Sequence, residues 1–168
     1  KILFSNFDVT WLSENQKFDF SFSFNSRNIK ALRFSYNNFK EKENFKEKIL
    51  QIFGLIGDNY DIVSLKKILD LMSKTDEKHQ TTIGLEWLFG QSFPRIKVYF
   101  EELFHIYSKV ERIRIIRDIC NLLDFEYSSL KLGQKPSIGA FCIDFLPNRV
   151  KNLKVYLLTQ KLFQKPSN

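Results

Sequence analysis

Apolar and polar residues alternate one by one in three parts of the chain and recur every three or four residues in the segments between. The first alternation is KFDFSFSF, Lys17–Phe24, where Phe18, Phe20, Phe22 and Phe24 fall on one side and Asp19, Ser21 and Ser23 on the other. Side chains two apart in a strand share a face, so this pattern predicts a strand. Asn25 to Asn28 supplies turn residues, and Ile29–Tyr36 returns as its hairpin partner. The second alternation, Ile83–Phe100, predicts two strands around a Gly/Pro turn. Its second strand sets Arg95, Lys97 and Tyr99 on one face and Ile96, Val98 and Phe100 on the other. A third hairpin is predicted over Ile138–Leu158. A looser alternation of Phe4, Phe7, Val9 and Trp11 reads as a strand or extended arm within residues 1–16.

Between the hairpins the period changes. From Phe39 to about Ile56, the residues Phe45, Ile49, Ile52, Phe53 and Ile56 carry helical spacing, and Gly54 and Gly57 mark the end. Asp61 is placed to cap a second helix that turns Ile62, Leu65, Ile68, Leu69 and Met72 inward. After Phe100, a short helical stretch holds Leu103, Phe104, Ile106 and Tyr107. A longer helix follows with Val110, Ile113, Ile116, Cys120 and Leu123 as its apolar stripe, and Glu111, Arg112, Arg114, Arg117 and Asp118 on its solvated face. Ser73–Gln80 and Ser128–Pro136 read as loops.

These elements predict an α+β fold: a single domain over residues 1–168 built of three hairpin–helix repeats, about 17–73, 82–127 and 137–168. The repeats form an antiparallel sheet or partial barrel with helices packed on its outer face. Ile83 and Ile138 lie 55 residues apart, and Tyr99 and Tyr156 lie 57 apart. Each first strand holds an acid between apolar residues (Asp19, Glu86, Asp144), and each second strand holds a base (Arg33, Lys97, Lys154).

Composition narrows the partners. With 168 residues and 43% apolar content, the chain can bury a core, and 18 Phe make that core aromatic. A formal net charge of +7 points to an anionic partner: nucleic acid, a phosphate-bearing small molecule or an acidic surface. Cys120 and Cys142 lack disulfide or zinc spacing and stand in apolar surroundings, which predicts buried thiols and a reducing, cytoplasmic setting. No apolar run reaches the roughly eighteen residues of a membrane span, and no signal-peptide pattern is present. The chain opens at Lys1 rather than Met, which suits a processed or partial chain. There is no P-loop, nucleophile elbow, zinc ligand set or aspartate-rich magnesium motif, so no metal or cofactor is expected. His79, in a polar segment, and His105, on a helix, are expected at the surface.

The candidate chemistry lies on the second strands. If their apolar residues pack under the helices, Arg33, Arg95, Lys97, Lys154, Tyr99 and Tyr156 face the other side of the sheet together. Such a surface attracts anions, with Arg and Lys supplying charge and Tyr a neutral donor. The alternative is an ordinary solvent-exposed face. For Asp19, Glu86 and Asp144, cross-strand ion pairing is the favoured reading. The functional alternative makes one of them a general base, and Glu86, flanked by Trp87 and Phe89, is its best candidate.

The stretches Gly84-Leu85-Glu86-Trp87 with Pro94–Tyr99, and Ile143–Pro147 with Leu153-Lys154-Val155-Tyr156, resemble the aromatic prenyltransferases of the αββα-barrel type, the dimethylallyltryptophan synthase-like enzymes. That resemblance implies an antiparallel barrel ringed by helices. It implies a lumen that binds an allylic isoprenoid diphosphate and an aromatic acceptor, which is alkylated without a metal-binding aspartate motif. It places Arg33, Arg95, Lys97, Tyr99, Lys154 and Tyr156 at the diphosphate, Glu86 as the catalytic carboxylate that deprotonates or orients the acceptor, and Trp87 and Asp144 in the acceptor pocket. The family barrel has more repeats than the three found here, and Ser35 stands where the other copies have Tyr. A smaller barrel, a half-barrel closed by a second copy, or a partial enzyme would each account for that. Two other readings stand beside it: a basic single-stranded nucleic-acid-binding protein, and a non-catalytic interaction module.

Overall fold

Three hairpins join edge to edge into one antiparallel sheet of six strands whose spatial order follows the sequence. A computed structural model describes residues 17–24, 29–37, 45–57, 59–73, 80–130, 132 and 137–158. The arm expected within residues 1–16, and His79, lie outside the described residues. The strands are β1 (Lys17–Phe24), β2 (Ile29–Asn37), β3 (Gln80–Leu88), β4 (Arg95–Glu101), β5 (Ile138–Leu146) and β6 (Arg149–Leu157), in the order β1-β2-β3-β4-β5-β6. The sheet is not closed, since β1 and β6 do not pair with each other. The α+β class with an open antiparallel sheet matches the sequence pattern.

Helices fill the two longer connections. Helices α1 (Phe45–Ile56) and α2 (Ile62–Ser73) lie between β2 and β3; α3 (Leu103–Ile106) and α4 (Lys109–Leu122) lie between β4 and β5. Helix α1 stops at Gly57, whose φ of 141° few other residues adopt and whose N–H donates to the Phe53 carbonyl. Asp61 caps α2 by accepting from the Ser64 backbone N–H at 3.0 Å. Helix α4 begins with a capping box, in which Ser108 and Glu111 each accept from the other's backbone N–H. A short 3-10 turn, Tyr127–Leu130, occupies the start of the expected loop. No helix among the described residues is long and apolar enough to cross a membrane.

The core lies between the helices and one face of the sheet. Ile49 and Phe53 of α1, Leu65, Ile68 and Leu69 of α2, and Ile115, Ile116 and Ile119 of α4 are buried with Ile96, Val98, Phe100, Phe141, Ile143 and Phe145 of the central strands. Phe100 and Phe141 stack at 4.7 Å, and Phe53 meets Phe145 edge-on at 5.2 Å. Each such ring contributes about 1.5–3 kcal/mol by leaving water. Tyr60 ties the hairpin tips to this layer. Its hydroxyl donates to the Pro94 carbonyl at 2.6 Å, its backbone bridges Pro147, and burial pushes its phenol up to about 12.

Helix α4 corrects one expectation. Its buried residues are Arg112, Ile115, Ile116, Ile119 and Cys120, while Val110 is 77% exposed. The true stripe is rotated from the expected one because Ile113, Ile115 and Ile116 leave two helical faces nearly equal in apolar content. The neighbouring helix and sheet select between them.

Candidate anion-binding site

The face of the sheet turned away from the core is polar, and its strand register lines up the predicted residues in rows. Arg33 lies opposite Glu86, and Glu86 opposite Arg95. In the next row Ser35, Gly84, Lys97, Asp144 and Asn152 follow one another across β2 to β6. Beyond them run Asn37, Thr82, Tyr99, Cys142 and Lys154. Directly opposed residues in an antiparallel pair share a face. Alternation on each strand therefore delivers the same polar surface from five strands at once.

This surface is shielded from water at its acids. Asp144 is 0% and Glu86 4% exposed, which is affordable for a charge only with close partners. Glu86 has three. Arg33 Nε donates to Oε1 at 2.7 Å, while Arg95 Nη1 and Lys97 Nζ lie 3.0 and 3.2 Å from Oε2. Asp144 Oδ2 takes Lys154 Nζ at 2.7 Å and Asn152 Nδ2 at 3.4 Å, with Arg95 Nη1 at 3.8 Å. Arg95 thus links both acids into one network from Arg33 to Lys154. Four cations against two carboxylates leave it with an excess of positive charge.

The acids answer to this arrangement. Burial raises the Glu86 carboxyl, but the Arg33 hydrogen bond and the Lys97 charge outweigh it, and Glu86 ends below its ordinary value. Burial also raises Asp144, and there the hydrogen bond and charge of Lys154, with Asn152, bring it below. Cys142 lies beneath, donating to Asp144 Oδ1 at 3.6 Å; burial and the adjacent carboxylate push its thiol up to about 12. Both cysteines are unbridged and buried. Burial raises the Tyr99 phenol, with Cys142, Tyr156 and Asp144 adding to the effect, so Tyr99 stays a neutral donor. Its ring lies 6.4 Å from that of the more exposed Tyr156.

A cavity of about 360 Å³ opens over this face, lined by Arg33, Glu86, Lys97 and Tyr99 together with Ser35, Thr82, Gly84 and Glu101. Gly84 forms part of its floor: a Cβ there would stand 3.4 Å from the Tyr99 ring and 3.6 Å from the Lys97 Cβ. Two buried polar groups of this face, Arg95 Nε and Thr82 Oγ1, have no hydrogen-bond partner among the described residues. Among the described residues, no three His, Cys, Asp or Glu side chains converge as metal ligands.

The structure thus brings Arg33, Glu86, Arg95, Lys97 and Tyr99 together, with Asp144, Lys154 and Tyr156 adjoining them. Trp87 does not join. It lies one residue along from Glu86 and hence on the opposite face, in register with Leu32, and its indole donates to the Gln91 carbonyl at 3.0 Å. Glu86 and Asp144 form the favoured cross-strand ion pairs, although buried ones. Arg33 pairs with Glu86 of the neighbouring hairpin; the Asp19 side chain, which the pattern had set against it, lies outside those described. His105 is exposed. Glu101 was missed, although its signal was present: it is the next residue on the face that carries Arg95, Lys97 and Tyr99. Comparison with protein-family models, curated proteins and solved structures found no match.

Proposed function

We propose that this face binds an allylic isoprenoid diphosphate and that the protein is prenyltransferase-like, passing the prenyl group to an aromatic acceptor. The supporting observation is the convergence of Arg33, Arg95 and Lys97 on a single carboxylate, with Arg33, Lys97 and Tyr99 lining a 360 Å³ cavity. Diphosphate needs several charge-assisted hydrogen bonds, and these groups offer more donors than Glu86 can use.

In this reading the allylic C–O bond breaks with its electron pair passing to the diphosphate, and the guanidinium and ammonium groups stabilise the charge that develops there. The faces of Tyr99 and Tyr156 accommodate the allylic cation until the acceptor ring attacks it, and the proton then lost from the alkylated ring carbon passes to the released diphosphate or to water. Glu86, held below its ordinary value by its cations, is a poor proton acceptor. It acts as a positioning residue that keeps Arg33, Arg95 and Lys97 within reach of one another. The surface suits a single strand of nucleic acid less well, since Tyr99 is half-buried and Tyr156 is the exposed ring beside it.

The test is a calorimetric titration with geranyl thiolodiphosphate, a slowly ionising analogue, and separately with a short single-stranded oligonucleotide. Micromolar binding of the first, competed by inorganic diphosphate, is the expected result. Tighter and salt-sensitive binding of the oligonucleotide, with none of the diphosphate, would replace this reading with the nucleic-acid one.

A further inference from the structure

Three carboxylates with described surroundings belong to the polar face, and they are not equivalent. Glu86 and Asp144 are held by cations. Glu101, at the far end of β4, has no Lys or Arg within ion-pairing distance among the described residues. It nevertheless lines the same cavity. Alternation along β4 sets Arg95, Lys97, Tyr99 and Glu101 on one side, and at roughly 3.4 Å per residue Glu101 stands about 14 Å from Lys97 along the strand. The cavity is therefore bipolar, cationic at one end and carboxylate at the other, with the Tyr99 ring between.

We infer that Glu101 selects the acceptor: it receives a positively charged, hydrogen-bond-donating group, so the cavity takes aromatic compounds bearing an amine or guanidine. The word acceptor rests on the prenyl-transfer reading, whereas recognition of an aromatic cation rests on the cavity alone. The span from Lys97 to Glu101 lets a diphosphate, an allyl group over Tyr99 and an acceptor ring lie in line. Burial raises the Glu101 carboxyl, the adjacent Thr82 hydroxyl acting against that and the Glu102 charge with it. A carboxylate that is costly to desolvate alone gains most from an incoming cation. A half-buried acid whose only role was to sit beside the Thr82 hydroxyl would behave differently, because a neutral amide could occupy that place equally well.

The experiment compares tyramine with N-acetyltyramine, which keeps the ring and phenol but loses the positive charge. Affinities for the wild-type chain, Glu101→Gln and Glu101→Asp are measured at low salt, with thermal melting as the check on folding. The wild type should prefer tyramine by about tenfold, in line with one charge-assisted hydrogen bond. Glu101→Gln should bring the two affinities to within about twofold, and Glu101→Asp should restore part of the preference. A wild type without preference, a preference that survives in Glu101→Gln, or no binding of either compound would overturn the inference. Wild-type affinity for geranyl thiolodiphosphate is measured alongside. If that ligand fails while the tyramine preference holds, the prenyl-transfer reading falls and cation recognition stands; the reverse outcome removes Glu101 alone.

Discussion

The hairpins β3–β4 and β5–β6 carry the same pattern, an acid on the first strand and Lys-x-Tyr on the second, yet they use it differently. In β3–β4, Glu86 gathers three cations and the group borders a cavity. In β5–β6, Asp144 is wholly buried, and its partners Lys154, Asn152 and Cys142 all come from its own hairpin, apart from the longer contact to Arg95. The difference arises from position in the sheet. Strand β3 lies between two strands that both bring arginines, whereas β6 is an edge strand with one neighbour. A shared local pattern therefore becomes a charge cluster at the sheet centre and a structural strut near its edge.

Substitution should separate the two roles. Asp144→Ala strands Lys154 and removes the anchor beneath β6, and is expected to cost about 3 kcal/mol in urea unfolding, at the low end for a buried pair because Lys154 reaches solvent. Glu86→Gln keeps one acceptor for Arg33 and should cost only about 1 kcal/mol. It should also strengthen binding of inorganic diphosphate by about tenfold, since the amide oxygen keeps the positioning contact while the competing negative charge has gone. Equal stability losses, or weaker diphosphate binding in Glu86→Gln, would break the distinction.

Acid should act on both hairpins. Glu86 and Asp144 sit below their ordinary values of 4.5 and 3.8, so their stabilisation is complete above those values and is lost as pH falls through the lower folded ones. Glu101 is raised above 4.5 and has the opposite sign: its burial penalty is relieved on protonation as pH falls through its folded value. Urea midpoints followed from about pH 7 to about pH 2 should therefore rise or hold steady first and fall only in the more acid range. The double variant Glu86→Gln/Asp144→Asn should flatten the acid limb; an unchanged limb would assign acid unfolding to other groups.

A smaller effect is expected at the cavity floor. Gly84→Leu would project between Tyr99 and Lys97 and should weaken geranyl thiolodiphosphate by about tenfold while moving stability by no more than about 1 kcal/mol. Unchanged affinity would place the ligand elsewhere.

Much of this was legible from alternation alone. Lys97 and Tyr99 could be assigned to one face, and Val98 and Phe100 to the core, because the two faces of β4 differ so sharply in chemistry. Reading the same period one step further would have found Glu101, and applying it strictly would have excluded Trp87, which follows Glu86 and so must face the other way. The partner of Arg33 was not legible, because the contact to Glu86 is made between hairpins and depends on which strands become neighbours. The buried face of α4 was not legible either, since Ile113 and Ile115 offer rival stripes that only tertiary packing separates.

The central claim is that the diphosphate is held by the β3–β4 cluster and not by the strut in β5–β6. Calorimetric affinities of Lys97→Ala and Lys154→Ala for geranyl thiolodiphosphate test it most directly. Lys97→Ala should lose about tenfold or more, and Lys154→Ala should lose clearly less, with its main effect on stability. Equal losses, or a larger loss in Lys154→Ala, would contradict the account.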